Sequence, residues 1–193
     1  MVNGAATSSA ITGSSLNPST YGDVVTFTAV VSSNGGTPTG NVRFKVGSTL
    51  LGPATLSDGV ATLTTSAGQL PGGADSIVAI YNGTAQFTGS TSPALVQTVN
   101  QAISTTTLIS SPNPASLGQT VTFTATVSGA FAIPAGKVRF RDGTTSLGVV
   151  SLSNGVAVYT TSALSRKTHN VSATYEGNLN YLTSSGNVQQ VVR

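Results

Sequence analysis

The amino-acid sequence predicts an all-β protein made of two tandem antiparallel β-sandwiches with about seven strands each. Three observations carry this expectation. Residues 17–29, NPSTYGDVVTFTA, return 96 residues later as residues 113–125, NPASLGQTVTFTA, and further short matches keep the same offset. Apolar side chains recur with a period of two, the spacing that lines one face of a strand. Charged residues make up only 7% of the chain, against about 25% in an ordinary globular protein. Solubility therefore rests largely on threonine, serine, asparagine and glutamine, and the β-branched threonine favours sheet.

The strands follow in the same order in each copy. Opening strands are expected near residues 8–12 and 105–109. Asn17-Pro18 and Asn113-Pro114 come next, in loops where proline removes no ladder hydrogen bond. Val121, Phe123, Ala125 and Val127 then point one way and Thr120, Thr122, Thr124 and Thr126 the other. The first copy repeats the inner set as Val25, Phe27, Ala29 and Val31, over a less polar outer set of Val24, Thr26, Thr28 and Val30. Val42, Phe44 and Val46 should face inward with Asn41, Arg43 and Lys45 outward, matched by Val138 and Phe140 against Lys137, Arg139 and Arg141.

Asp142-Gly143 supplies a turn, and residues 51–56 and 147–152 read as short strands. Asp58-Gly59 and Asn154-Gly155 are the strongest hairpin signals, because both residue types tolerate positive φ. The strands beyond them would bury Ala61 and Leu63, and Ala157 and Tyr159. Strands over 76–81 and 170–175 follow, and the last strands centre on Leu95, Gln97 and Val99 and on Val188, Gln190 and Val192. No segment sustains the 3.6-residue period of an amphipathic helix.

The repeat divides the 193 residues into sandwiches at 1–99 and 104–193, joined by a short linker, Asn100-Gln101-Ala102-Ile103. Without glycine or proline, that linker is expected to limit interdomain motion and to favour an elongated rod. The chain has no cysteine, so neither a disulfide framework nor a thiolate metal site is expected. No apolar run is long enough to span a bilayer as a helix. Met1-Val2-Asn3-Gly4 lacks the basic and apolar regions of a secretory signal, so the signal of an exported parent protein is expected outside these residues. Net charge is +3 and unevenly placed. The first copy sets Arg43 and Lys45 against Asp23, Asp58 and Asp75, a net −1. The second sets Lys137, Arg139, Arg141, Arg166, Lys167 and Arg193 against Asp142 and Glu176, a net +4.

The series Asn-Pro-x-x-x-Gly-x-x-Val-Thr-Phe-Thr-Ala, Gly-x-Val-x-Phe, Leu-Gly, Gly-x-Ala and Ala-x-Tyr occurs twice at matching spacing. It resembles the bacterial immunoglobulin-like (Ig-like) repeats found in tandem in large exported and surface proteins. The resemblance implies an immunoglobulin-type, Greek-key sandwich without the inter-sheet disulfide. It also implies an extracellular or cell-surface location and a role as spacer or adhesive module.

The candidate sites fit that expectation. His169 is the one histidine, has no counterpart in the first copy, where Asp75 aligns, and reads as a surface loop residue rather than a base. The carboxylates are far apart in sequence and form no Asp-x-Asp-x-Asp run of the kind that gathers calcium ligands, so no metal or cofactor is expected. Tyr81 and Tyr175 align and read as buried rings whose hydroxyls return to backbone, like the tyrosine corner of Greek-key sandwiches. Phe87 and Tyr181 align as covers of the following loop.

Lys137, Arg139 and Arg141 form the more substantial proposal, with Arg43 and Lys45 at the matching places. At two-residue spacing their Cβ atoms lie about 6.5–7 Å apart on one strand face, a reach suited to anionic polymers, acidic lipid or a partner protein. The alternative is a solvated strand whose charges discourage edge pairing. Nucleic acid is not expected, because no aromatic series accompanies the charge and the chain has no tryptophan. The expected function is a non-enzymatic, monomeric spacer or stalk pair that contacts neighbouring domains of its parent protein. The alternative is an adhesive module that binds glycan or protein through the basic face or the end loops.

Overall fold

The computed structural model describes residues 4–193; Met1, Val2 and Asn3, read above as lacking a secretory signal, lie outside them. The chain divides into two compact units, Met1–Asn100 and Gln101–Arg193. Asn100 ends a strand of the first unit, while Ala102 is buried and pairs with Tyr181 in the second. Two of the four residues of the expected linker, Asn100 and Ala102, are thus held within a unit.

The first unit contains β1 (Thr7–Ser14), β2 (Ser19–Thr20), β3 (Thr26–Ser33), β4 (Asn41–Val46), β5 (Thr49–Thr55), β6 (Val60–Thr64), β7 (Gly73–Tyr81), β8 (Ser90–Thr91) and β9 (Leu95–Asn100). One sheet runs β1-β3-β6; the other runs β2-β9-β7-β4-β5, with β8 against β7. The second unit contains β10 (Ser104–Ser111), β11 (Val121–Gly129), β12 (Lys137–Asp142), β13 (Thr145–Ser151), β14 (Val156–Thr161), β15 (Thr168–Tyr175) and β16 (Ser184–Val191). Its sheets run β10-β11-β14 and β13-β12-β15-β16. Named strands pair antiparallel throughout, except that β2 runs parallel to β9.

The alternation read from the sequence is the core. Val25, just ahead of β3, and Phe27, Ala29 and Val31 on β3 cluster with Val42 and Phe44 on β4 and Ile77, Ala79 and Tyr81 on β7. Val121, Phe123, Ala125, Val127, Val138, Phe140, Val171, Ala173 and Tyr175 occupy the same places in the second unit and are equally buried. Burying a phenylalanine or valine side chain contributes about 1.5–3 kcal/mol, so these positions dominate the stability of each sandwich. The threonines between them point outward.

The repeated motifs each solve a local problem. Asn113 stands where β10 gives way to the next segment, and its side chain replaces a strand: Nδ2 donates to the Gln189 carbonyl (2.6 Å) and Oδ1 accepts from the Val191 amide (3.0 Å). Asn17 does the same for Val96 and Thr98. The Leu-Gly pair marks a β-bulge. Leu51 and Leu147 are the extra residues, and a Cβ on Gly52 or Gly148 would press within about 3 Å of Leu63 or Tyr159. Tyr81 and Tyr175 donate their hydroxyls to the carbonyls of Thr39 (2.8 Å) and Ala135 (2.9 Å), tying β7 and β15 to the loops ahead of β4 and β12.

Two expectations need correction. Asp58-Gly59 and Asn154-Gly155 do form tight turns, with positive φ at all four residues. The paired stretch is only the bridge Ser57 to Val60, or Ser153 to Val156, because the flanking strands leave for opposite sheets. The second concerns His169, which lies on β15, not in a surface loop, and is 2% exposed.

Candidate functional site

The proposed basic face lies on β4 and β12, with Arg43, Lys45, Lys137, Arg139 and Arg141 on the outward phase between buried Val42 and Phe44 or Val138 and Phe140. Its charges are not equivalent. Arg139 donates from Nε (3.0 Å) and Nη2 (2.6 Å) to Oε1 of Glu176, the residue that follows β15. That ion pair offsets the central charge of the stripe. Arg43 makes the matching contact in the first unit, donating from Nη2 to Oδ1 of Asn82 (3.0 Å), a neutral partner. Arg141 turns its Nη1 toward the Thr144 carbonyl (3.4 Å) in the adjoining turn. Lys137 is exposed and Lys45 half-buried.

Sequence spacing did not reveal Glu176 as the partner of Arg139, because the contact joins residues 37 positions apart. The register of β12 on β15 produces it: Arg139 sits opposite Thr174, two residues before Glu176.

A second polar cluster joins His169, Asp142 and Lys167. Nδ1 of His169 lies 2.7 Å from Oδ2 of Asp142 at the end of β12, and Nε2 lies 2.8 Å from the Ser165 carbonyl. Lys167 Nζ stands 3.9 Å from the same carboxylate oxygen. The two ring nitrogens thus face a carboxylate oxygen on one side and a backbone carbonyl on the other. Both ring nitrogens are thereby engaged within the fold.

In the first unit Asp75 takes the place of His169. It is buried, its Oδ2 has no hydrogen-bond partner among the described residues, and burial pushes its carboxyl up from the ordinary value. Tyr175 is likewise raised, by burial first and by neighbouring Tyr181 second. Among the described residues no three histidine, cysteine or acidic side chains gather as metal ligands, and no helix is long and apolar enough to cross a membrane.

One fully buried glutamine stands in each sandwich, Gln97 in the first and Gln190 in the second. Gln97 accepts from Ser14 Oγ (2.6 Å) and donates to the Leu16 carbonyl (2.8 Å). Gln190 donates to the Pro112 carbonyl (3.0 Å), but its Oε1 and the matching Ser110 Oγ lack partners among the described residues. The polar groups the copies share are therefore structural, and their differences lie in charge.

The sequence pattern of the bacterial Ig-like domain (group 3) matches residues 11–100 and again 107–193. The chain belongs to this family. Its two bacterial Ig-like domains are non-catalytic modules. Among curated proteins none matches the chain. Solved structures that match the chain include the fibronectin(III)-like modules of Clostridium thermocellum CbhA, 21% identical over 96% of this chain and 94% of that one, with a TM-score of 0.43. Another is the adhesin InvE of Yersinia pseudotuberculosis, 17% identical over 95% of this chain, with a TM-score of 0.52. This chain covers 58% of the InvE chain. At 17% identity the likeness to InvE is one of fold.

Proposed function

We propose that the pair is an adhesive Ig-like module of an exported, surface-exposed protein, in which the common framework spaces and the second copy recognises. One observation carries the reading. The copies share their buried side chains, whereas the excess positive charge belongs to the second copy, where Lys137, Arg139, Arg141, Arg166, Lys167 and Arg193 face only Asp142 and Glu176. Both of those carboxylates are already engaged, by His169 and Lys167 and by Arg139. The description of the similarly folded InvE as an adhesin supports the same role. A ligand of this face would be a glycan or surface protein bearing carboxylate, sulfate or phosphate groups, met by Lys137 and Arg141 with Arg43 and Lys45 as a weaker counterpart. Neighbouring domains of the parent protein would be the remaining partners.

A panel of immobilised neutral, carboxylated and sulfated glycans and of extracellular-matrix proteins, probed with the intact pair, tests the proposal. Selective binding to acidic members, lost in a K137Q/R141Q variant, is the expected outcome. Absence of selective binding would leave the pair a plain spacer and overturn the adhesive role.

A further inference from the structure

We infer that β13 is an open docking strand for an extended acidic peptide segment, which adds to the sheet beyond β13 and offers its carboxylates to Lys137 and Arg141. This rests on the second copy being the recognising half of an adhesive pair, and it names the class of partner.

β13 is the edge of the sheet β13-β12-β15-β16. The Leu152 amide donates to the Gly136 carbonyl (2.9 Å), so that residue faces β12. Backbone groups alternate sides along an antiparallel strand. Val150 and Gly148 therefore also face β12, opposite Val138 and Phe140, while Val149 and Ser151 turn their N–H and C=O groups away from the sheet. The strand, Thr145–Ser151, contains no charge and no proline, and Val149 is 44% exposed. A strand of this kind is a template for pairing.

The first unit shows the same edge closed. There the Leu56 amide donates to the Gly40 carbonyl (2.8 Å), which places Pro53 at the outward position held by Val149. Proline has no N–H, so the row of donors is broken. Gln69 closes the edge further: its Nε2 donates to the carbonyl of the bulge residue Leu51 (2.7 Å), while its Oε1 accepts from the Ser66 amide (2.9 Å). The second copy is two residues shorter here, with Ala163 alone between Ser162 and Leu164 where the first has Ala67, Gly68 and Gln69, so no side-chain amide does the same for Leu147. Two independent devices that protect one copy are thus both missing from the other.

Charge decides the occupant. Arg139 on β12 lies directly opposite Val149, with Lys137 opposite Ser151 and Arg141 opposite Ser146. Arg139 is paired with Glu176, which leaves Lys137 and Arg141 flanking the open stretch. An added strand would lie about 9–10 Å from β12, two strand spacings, a gap that a lysine or arginine and a glutamate span together. A second copy of this chain would instead bring another basic unit edge-on, so an acidic segment fits better.

The test uses the intact pair and a fluorescein-labelled eight-residue peptide of alternating glutamate and valine, followed by fluorescence anisotropy at low and physiological salt. The expected result is saturable binding that weakens with salt, falls at least about tenfold in V149P, equivalent to about 1.4 kcal/mol, and falls again in K137Q/R141Q. A peptide of alternating lysine and valine should not bind. An acidic peptide N-methylated at alternate residues, which cannot form the ladder, should lose binding to the unaltered protein, and this arm stands even where V149P fails to fold. Undiminished binding to V149P and of the N-methylated peptide would overturn the inference, as would no binding at all. Self-association that V149P abolishes, without peptide binding, would overturn it in favour of a second copy. Selective glycan binding without peptide binding would overturn the docking strand and spare the adhesive role; loss of both would overturn both.

Discussion

Asp75 and His169 hold one place in the two sandwiches and have opposite chemistry. Each lies across from a buried glutamine, Asp75 from Gln97 on β9 and His169 from Gln190 on β16. His169 is satisfied by Asp142 and the Ser165 carbonyl, whereas burial raises the carboxyl of Asp75. A group whose folded value is raised contributes stability that is full below its unfolded value and is lost as pH rises through the folded one. The first unit should therefore lose stability as pH climbs from the ordinary carboxylate value, 3.8, into the raised range. The D75N variant should flatten that dependence. Urea unfolding of both proteins over about pH 3 to 7 checks this, and an unchanged slope in D75N would refute it. The buried place of His169 was legible in phase, because 169, 171, 173 and 175 share one face of β15. The partnership with Asp142 was not, since it depends on β12 lying beside β15.

At the scale of the element, the Asn-Pro motif acts through its asparagine. The sequence placed the motif in a loop, and proline statistics account for that. They do not account for the asparagine side chain standing in for a missing stretch of strand along β9 and β16. Asn113→Ala should remove both bonds to β16 and destabilise the second unit by about 1–3 kcal/mol, at about 0.5–1.5 kcal/mol for each bond. Asn113→Asp keeps the acceptor for the Val191 amide but loses the donor to Gln189, so its loss should be intermediate. Chemical denaturation resolves the series, and an alanine variant as stable as the parent would show that water replaces the side chain without cost. The Asp58-Gly59 and Asn154-Gly155 turns mark the limit of local reading at this scale. Positive φ follows from the residue types, but whether the strands on either side stay together depends on which sheet each joins.

At the scale of the whole molecule, each of the two units has its own set of buried side chains. Phe123 is fully buried in the second unit, and Phe123→Ala should cost that unit about 3–5 kcal/mol through lost burial and a cavity. Calorimetry of the pair should then show the transition of the second unit lowered and that of the first retained. A fragment of residues 101–193 should fold alone, with the circular dichroism of a β-sandwich. An unfolded fragment would show that the second core is incomplete by itself.

The sequence by itself determined the duplication, the strand order, the inward faces and the apolar core, because these depend on period and turn chemistry that each segment carries within itself. It also placed the basic residues on the outward phase of β4 and β12. Only the tertiary structure decided which charges remain available, since Arg139 meets Glu176 and His169 meets Asp142 through strand register rather than proximity along the chain. It likewise decided that Pro53 and Gln69 close one sheet edge while Val149 and the shorter segment at Ala163 leave the other open. A strand becomes an edge only by its place in the sheet, and its backbone groups are free or engaged according to neighbours that no local pattern records.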